Sequence, residues 1–218
     1  MIVLKSEREL TKMRRAGQIT GQILQELAEM VKPGVKTIDL DRRAETLVAQ
    51  FDAEAAFKGY QGYPGSVCVS VDNEVVHGIP GERVLQEGQI VSLDFGAIYD
   101  GFCGDSAVTV PVGSVDPEVA KLIEVTKTAL ERGIAQAVVG NRLSDIAHAV
   151  QEYVEAHNFA VVREYVGHGI GRQMHEAPPV PNFGLPNRGP RLKVGMTLAI
   201  EPMVNAGSWE VEALVDGW

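Results

Sequence analysis

The stretch "LQEGQIVSLDF" at residues 85–95 has an echo in "LKVGMTLAIEP" at residues 192–202. Each stretch begins with Leu, has Gly three residues later, and continues as an apolar run that reaches a carboxylate. Asp94 therefore corresponds to Glu201. Self-similarity of this kind indicates that a structural unit has been written twice in the chain.

Two further pairs of stretches repeat at nearly the same offset and in the same order. They are "GVKTID" at 34–39 with "GNRLSD" at 140–145, and "YQGYP" at 60–64 with "YVGHG" at 165–169. The offset is too long for a solenoid of many short repeats. The sequence therefore predicts a single domain, 1–218, large enough to be a catalytic domain. It would consist of two similar halves at about 1–113 and 114–218.

Each half has the pattern of two helices followed by strands. Apolar residues at helical spacing predict helices at 7–31, 37–51, 116–138 and 144–157, starting near Thr37, Asp116-Pro117 and Ser144. Predicted strands cover "SVCVSV", "IVSLDFGAIYDGFCGDSAVTV", "VVREYV" and "TLAIEPMV". Because strands follow helices in runs, the fold class is α+β, with a curved antiparallel sheet covered by helices.

Composition narrows the classes of function. The net charge is −9, and Lys and Arg form no stripe that could neutralise a run of phosphates, so nucleic acid is not an expected partner. No apolar run is long enough for a membrane span, and charges interrupt the N-terminus. Cys68 and Cys103 form neither a C-x-x-C pattern nor a secreted scaffold, which indicates a reducing, cytoplasmic setting.

Two aspartates fall inside predicted strands. Asp94 lies among apolar residues, and Asp105 follows in the next strand of a hairpin that should turn near 99–101. Aspartate is depleted in strands, and an unpaired buried anion is costly. One alternative is that both lie on the solvated face of an edge hairpin. Since Glu201 corresponds to Asp94, the other is that three carboxylates converge and a cation holds them.

The stretch "EYVGHGIGRQMHEAPPVP" at 164–181 is expected to be a loop that forms one wall of a site. Glycines flank His168 and would let another backbone approach it closely. His168 could also be a polar turn residue or a core histidine. Together with the three carboxylates it makes a donor set suited to Mn, Fe, Co or Zn, and to a two-metal site.

Three other readings have weaker support. The "GHGIG" spacing is not that of a phosphate-binding loop, and the prolines after it exclude the helix such a loop needs. Ser106 lies in no G-x-S-x-G nucleophile elbow. Cys68 would need a neighbouring base to act as a nucleophile, which the sequence alone does not reveal.

The chain resembles the type I methionine aminopeptidases over essentially its whole length. The resemblance is carried by the motifs "GYPGSVCVSVDNEVVHGIP" (62–80), "DFGAIYDGFCGD" (94–105), "GHGIGRQMHE" (167–176) and "GMTLAIEPMVNAG" (195–207). It implies the pita-bread fold of creatinases and aminopeptidases. It also implies removal of the initiator methionine from nascent proteins whose second residue is small, by a metal-activated water.

The resemblance also implies roles for individual residues. The implied metal ligands are Asp94, Asp105, His168 and Glu201, with Asp105 bridging two divalent ions. Glu201 would also shuttle the proton, His175 would stabilise the oxyanion, and His77 would steady the substrate. The implied pocket for the methionine side chain is lined by Tyr60, Tyr63, Cys68 and Trp218. Met174 stands where the family often has Phe.

The sequence departs from the family pattern at its end. Members continue past "DGW" with a strand that carries a fifth ligand, a bridging Glu, whereas this sequence ends at Trp218. The expectation is a chain cut short, which would bind one metal or none and be inactive, whereas a full-length subunit would bind two. The metal identity stays open among Co, Mn, Fe and Zn.

Two alternatives of different kinds remain. A proline-directed peptidase shares the fold but usually has an added N-terminal domain. A metal-free binding module would have lost its ligands, whereas four of five are present here. The expected partners are nascent polypeptide N-termini, with ribosome proximity plausible and a monomer as the family default.

Overall fold

The structure, a computed structural model, describes residues 1–214 and groups them into two compact units. The first unit consists mainly of Glu9–Val119 together with Gly171–Met174. The second unit consists of Met1–Arg8, Ala120–Ile170 and His175–Glu212. The two predicted halves of the sequence, with their boundary near residue 113, stay a prediction.

The first unit is built on a four-stranded antiparallel sheet and two helices. Its elements are α1 (Glu7–Met30), α2 (Thr37–Gln50), β1 (Glu54–Ala55), β2 (Val67–Val71), β3 (Ile90–Tyr99) and β4 (Phe102–Pro111). Strand β3 is the centre of the sheet. Strands β1 and β2 pair with successive parts of one edge of β3, and β4 pairs with its other edge along its full length.

Alternation along β3 divides the sheet into an apolar face and a polar face. Val91, Leu93, Phe95 and Ala97 are fully buried and belong to one core cluster with apolar residues of both helices. Successive strand residues point to opposite faces, so Ser92, Asp94 and Gly96 lie on the other side. Each large apolar side chain buried in this way contributes roughly 1.5–3 kcal/mol. The polar face is thereby reserved for other chemistry.

The β3–β4 hairpin confirms the predicted turn. Tyr99 pairs with Phe102, which leaves Asp100 and Gly101 as a two-residue loop. Both loop residues have positive φ, 49° and 74°. An Asp-Gly pair with positive φ at both positions is the preferred connection for tightly joined antiparallel strands. The turn fixes the register in which Asp105 faces Gly96.

The second unit has two helices and two small antiparallel sheets. Its elements are α3 (Pro117–Gln136), α4 (Leu143–Ala156), β5 (Ala160–Val161), β6 (Gly167–Gly169), β7 (Glu176–Val180), β8 (Leu198–Ala199) and β9 (Val204–Asn205). Strand β5 pairs with β9, and β6 lies between β7 and β8. The helices pack through a cluster that includes Val125, Ala129, Val150 and Val154. The four helices therefore have nearly the predicted bounds.

The structure corrects the predicted strands of the second unit. "VVREYV" is a strand only at Val161, and the chain enters β6 at Gly167. "TLAIEPMV" is divided between β8 and β9, so Glu201 lies between two strands rather than at the end of one. The expected loop at 164–181 contains the paired strands β6 and β7. The prediction failed because short apolar runs do not reveal where a sheet register stops.

Two predicted helix starts are also wrong by one residue. Thr37 is not the N-cap of α2 but its first residue, and its hydroxyl donates to the Gly81 carbonyl and accepts from the Gly81 N–H. Helix α4 begins at Leu143, and the Ser144 hydroxyl accepts a hydrogen bond from the Arg188 N–H. Both hydroxyls therefore anchor distant loops instead of capping their own helices.

The helices of residues 1–214 are amphipathic, and none has the length and apolar character needed to cross a membrane. The buried stripe of α1 shows the pattern, with Ala16, Ile19, Ile23 and Leu27 at helical spacing. Such a stripe faces a protein core on one side only.

Helix α1 lies directly on β4 at Gly104. A Cβ atom placed on Gly104 would be 2.6 Å from the carbonyl carbon of Ala16 and 2.7 Å from the backbone nitrogen of Gly17. These are main-chain atoms of a helix, which cannot move aside as a flexible side chain could. By contrast, a Cβ on Gly17 would meet nothing within 4 Å.

We expect Gly104→Ala to lower the free energy of unfolding by about 3 kcal/mol, because the added methyl would overpack the contact between helix and sheet. Gly17→Ala is the matched control from the same contact. It should raise stability by roughly 0.5–1 kcal/mol, since alanine is the better helix former. Urea denaturation of both variants measures the difference, and a Gly104→Ala protein as stable as wild type would contradict this packing.

Candidate metal centre

The two predicted carboxylate ligands of the first unit lie on one face of its sheet. Asp105 on β4 is opposite Gly96 on β3, and Asp94 is two residues before Gly96. Side chains two apart on a strand share a face, as do residues directly opposite each other. Asp94 and Asp105 are therefore diagonal neighbours, at a separation of roughly 7–8 Å that long or bridging ligands can span. Both are half-buried.

Met174 packs on the same face of the sheet, at Gly96. A Cβ on Gly96 would lie 2.7 Å from the Met174 Cε and 3.0 Å from Cε1 of Phe57. The methionine methyl therefore occupies the space that a larger residue at position 96 would take. Because Met is flexible and polarisable, this wall can adapt to an apolar ligand. Phe57 was not identified from the sequence.

Cys68 faces Asp94 from β2. The two residues are paired in the antiparallel register, and Cys68 is a buried free thiol, as is Cys103. Burial, with the charge of Asp94 as a further cause, raises the pKa of the Cys68 thiol far above its usual range. A thiol that stays protonated is a poor nucleophile. The structure therefore argues against the reading of Cys68 as a catalytic nucleophile.

Tyr63 lies beside Cys68 and is also held neutral. Its hydroxyl donates to the Gly78 carbonyl oxygen at 2.8 Å. Burial, and next the neighbouring Cys68, raises the pKa of the Tyr63 phenol. Two uncharged, largely apolar groups thus adjoin Asp94. Tyr60, by contrast, lies on a short 3₁₀ turn and is 37% exposed.

His77 has an unusual backbone conformation. Its φ is 61°, in the left-handed region that non-glycine residues seldom adopt. The next residue, Gly78, accepts a hydrogen bond from the Val69 N–H at 2.8 Å and donates one to the Ser70 hydroxyl. Strand β2 therefore holds His77 in a conformation that costs energy, which is common at functional sites. Burial lowers the pKa of His77.

In the second unit, glycines shape the surroundings of His168. A Cβ on Gly167 would lie 2.3 Å from the Ala199 carbonyl oxygen, and one on Gly169 would lie 2.3 Å from that of Ala177. Neighbouring strands thus approach β6 so closely that any side chain larger than hydrogen would collide. His168 itself is only 6% exposed. This close approach explains the glycine on each side of it.

His168 contacts two other predicted site residues. Its Nδ1 is 2.9 Å from the Gly169 carbonyl oxygen, and since a carbonyl only accepts, Nδ1 carries the proton. Its Nε2 is left as the ligand atom and lies 3.3 Å from Oε1 of Glu201. The ring of His175 is 4.1 Å from the His168 ring, centroid to centroid. The second unit therefore brings His168, His175 and Glu201 together.

One residue beside Glu201 was missed by the sequence analysis. Asn182 is fully buried and donates from Nδ2 to the Glu201 carbonyl oxygen at 2.7 Å. The signal that could have found it is a polar residue two positions after the strand "EAPPV". Trp218, predicted to line the pocket, lies outside the described residues.

Comparison with known proteins decides the family. The profile of metallopeptidase family M24 matches residues 11–217. The chain belongs to metallopeptidase family M24. Two similar curated proteins are methionine aminopeptidase 1 of Bacillus subtilis, 54% identical, and methionine aminopeptidase of Clostridium acetobutylicum, 52% identical. Each alignment covers 100% of this chain and 88% of the relative.

Solved structures agree with this assignment. The methionine aminopeptidases of Rickettsia prowazekii and Thermotoga maritima have TM-scores of 0.98 and 0.97 at 40% and 45% identity. Each comparison covers 100% of this chain and 88% of the other. The prolidase of Pyrococcus horikoshii OT3 is 21% identical with a TM-score of 0.76, which reflects a shared fold. The predicted α+β class and pita-bread fold are confirmed.

We expect titration of His77 to lower the free energy of unfolding as the pH decreases. Burial lowers its pKa in the folded state, so the unfolded chain takes up a proton first as pH decreases below about 6.5. The free energy of unfolding therefore decreases as the pH falls from about 7 to about 5.5. His77→Asn removes the titrating ring and suits a positive φ, so the loss should be smaller. Urea denaturation midpoints of wild type and His77→Asn at both pH values measure this loss. An equal change of midpoint with pH in the two proteins would refute the expectation.

Proposed function

We propose that this chain removes the initiator methionine from nascent proteins whose second residue is small. The observation that carries the proposal is 54% identity to a methionine aminopeptidase across the full length of this chain. Three of the four predicted ligands lie on strands and Glu201 lies between β8 and β9. The presence of all four residues supports an enzyme rather than a metal-free binding module. Family M24 consists of metallopeptidases, so the enzyme uses a divalent metal.

The donor set fits such a metal. Asp105, His168 and Glu201 each offer one ligand atom, two carboxylate oxygens and an imidazole nitrogen. Asp94 adds a further carboxylate on the face of Asp105. Mixed oxygen and nitrogen donors suit Mn, Fe, Co and Zn, and carboxylates can bridge two ions. We propose that these four residues would hold the metal and that the site would take two divalent ions, since carboxylates such as that of Asp105 can be shared between ions.

The remaining roles are those that the resemblance implies, and each fits the chemistry of peptide hydrolysis. When bound, the metal supplies a Lewis acid and lowers the pKa of water. Glu201 takes a proton from the attacking water and delivers it to the leaving nitrogen, as a carboxylate within reach of the reacting groups can. His175 donates a hydrogen bond to the developing oxyanion, and His77 steadies the substrate near its amide.

Two neutral side chains of the first unit suit contact with a methionine side chain. The phenol of Tyr63 and the thiol of Cys68 are held uncharged by burial, so a thioether meets no ionised group on them. Tyr60 is also proposed to line this contact, and Trp218, the other residue implied by the resemblance, lies outside the described residues. An apolar pocket that accepts an unbranched side chain selects by shape and by the loss of water.

The setting of the enzyme follows from its substrate. A nascent polypeptide N-terminus exists during synthesis, so we propose a cytoplasmic enzyme that acts near the ribosome as a monomer. The acidic sequence, with a net charge of −9, makes recognition of ribosomal RNA by electrostatic attraction unfavourable. Proximity would then depend on protein contacts or on diffusion.

We expect Asp105→Asn to weaken metal binding by about 100-fold or more, because it removes the charge of a direct ligand, whereas outer partners alone cost 10–100-fold. Asp116→Asn is the matched control, since Asp116 accepts a hydrogen bond from the Glu118 N–H at the start of α3 and Asn can also cap a helix. Co²⁺ titration and hydrolysis of a Met-Ala-Ser peptide measure both variants. If metal and hydrolysis survive in Asp105→Asn, the assignment of Asp105 fails.

The role of His175 predicts a specific kinetic pattern. His175→Ala should lower kcat by about 10²–10³-fold and change KM little, because the hydrogen bond is made to charge that develops in the transition state. His148→Ala, on α4, is the control and should leave both constants unchanged. Steady-state kinetics with the same peptide provide the test, and an equal change in kcat and KM would count against an oxyanion role.

A further inference from the structure

The side chain of Asn182 holds the main chain at Glu201. Asn182 is 0% exposed, and its Nδ2 donates to the Glu201 carbonyl oxygen at 2.7 Å. The two residues are 19 apart in the chain, so the contact depends on the sheet rather than on local geometry. A hydrogen bond of this length is strong by the usual criteria.

The topology of the second unit brings these residues to the same end of a sheet. Strands β7 and β8 are both antiparallel to β6, so they run parallel to each other. His168 faces Pro179 on one side and Ala199 on the other. Asn182 lies two residues beyond the end of β7, and Glu201 lies two residues beyond the end of β8. The asparagine thus links the two segments that follow β7 and β8, at the point where each stops pairing with the strand of His168.

This hydrogen bond holds the main chain at a residue that lies between two other anchored positions. Strand β8 ends at Ala199, and the next main-chain anchor is the Met203 carbonyl, which accepts from the Val162 N–H at 2.9 Å. Glu201 lies between these anchors. Because residue 202 is proline, the peptide unit after Glu201 has no N–H and can be held only through its carbonyl oxygen. Asn182 donates to that oxygen.

The other half of the amide indicates why an asparagine is found here. Within residues 1–214, Oδ1 of Asn182 is buried and accepts no hydrogen bond. An unsatisfied buried acceptor costs about 1–3 kcal/mol, more than an apolar side chain of similar shape would. Leucine would remove this cost but would leave the Glu201 carbonyl oxygen without its donor. The donor on Nδ2 therefore has a use that outweighs the cost of the acceptor.

We propose that Asn182 is a positioning residue, which fixes the Glu201 main chain so that its carboxylate stays beside Nε2 of His168. The inference rests on the proposed function of Glu201 as metal ligand and proton carrier. A carboxylate displaced by an ångström would bind metal less tightly and would move a proton less efficiently. The effect of Asn182 reaches the reaction through Glu201, since its own side chain contacts the Glu201 carbonyl.

The test compares Asn182→Leu with a matched control. Leucine fills a similar volume, removes the unsatisfied acceptor and deletes the Nδ2 donor. Asn141→Leu is the control, because Asn141 also donates from Nδ2 to a main-chain carbonyl, that of Gln136 at 3.0 Å. Three measurements are made on each purified chain: Co²⁺ affinity, kcat and KM for Met-Ala-Ser, and hydrogen exchange of residues 199–204 in the metal-free protein.

Asn182→Leu should raise the Co²⁺ dissociation constant about tenfold, as loss of an outer partner does. It should lower kcat more than it changes KM and speed exchange at 199–204, while Asn141→Leu changes none of these. Unchanged affinity and exchange in Asn182→Leu, or equal effects in Asn141→Leu, would overturn the proposal.

A second variant and the metal-free measurement keep the outcomes distinct. If Asn182→Leu does not fold, Asn182→Ser takes its place, since serine is too short to reach the carbonyl. Failure of both to fold would also overturn the proposal, because Asn182 would then support the fold rather than Glu201. If wild type binds no metal, the proposed function fails, and the exchange of residues 199–204 still decides the role of Asn182.

Discussion

Neighbouring backbones approach the strand of His168 so closely that no side chain fits on either side of the histidine. The carbonyl oxygens of Ala199 and Ala177 lie 2.3 Å from where Cβ atoms of Gly167 and Gly169 would be. The surroundings of His168 depend on this contact. It buries His168, turns Nδ1 onto the Gly169 carbonyl and leaves Nε2 beside Glu201. The ring is thus fixed by its surroundings before any ligand arrives.

The sheet of the first unit carries charged side chains on one face and the apolar core on the other. Strand β3 directs Val91, Leu93, Phe95 and Ala97 to the helices, and this apolar face stabilises the unit. The opposite face can then carry Asp94 without disturbing the core. The Asp100–Gly101 turn sets the register that brings Asp105 to the same face. Stability and chemistry are separated by the two-residue period of the strand.

The sequence predicts those features that depend on local patterns. Long amphipathic helices have a period that many residues support, and the Asp-Gly turn requires positive φ that few residue pairs accept. The break at Glu201 and the short strand of Val161 are different. They depend on where pairing stops, which a short apolar run does not encode.

The contact between Asn182 and Glu201 is harder to predict from the sequence, because its prediction requires the strand order β7, β6, β8. The repeated stretches and the family motifs nevertheless named Asp94, Asp105, His168 and Glu201 as ligands. The structure places these residues in two pairs, one in each unit, and supplies the neighbours that each pair contacts.

The neutral groups around Asp94 bear on what the centre is for. The thiol of Cys68 and the phenol of Tyr63 are kept protonated by burial, so neither adds a charge of its own beside Asp94. Burial of an anion is costly unless opposite charge is near, and neutral apolar neighbours increase that cost. The same neighbours increase the attraction of a carboxylate for a divalent cation, because the dielectric screening is weaker. The burial that keeps both groups neutral would therefore also raise the affinity of the proposed ligand Asp94 for a divalent cation. The proposed lining for an apolar side chain and the proposed ligand Asp94 would then depend on the same physical cause, which is burial.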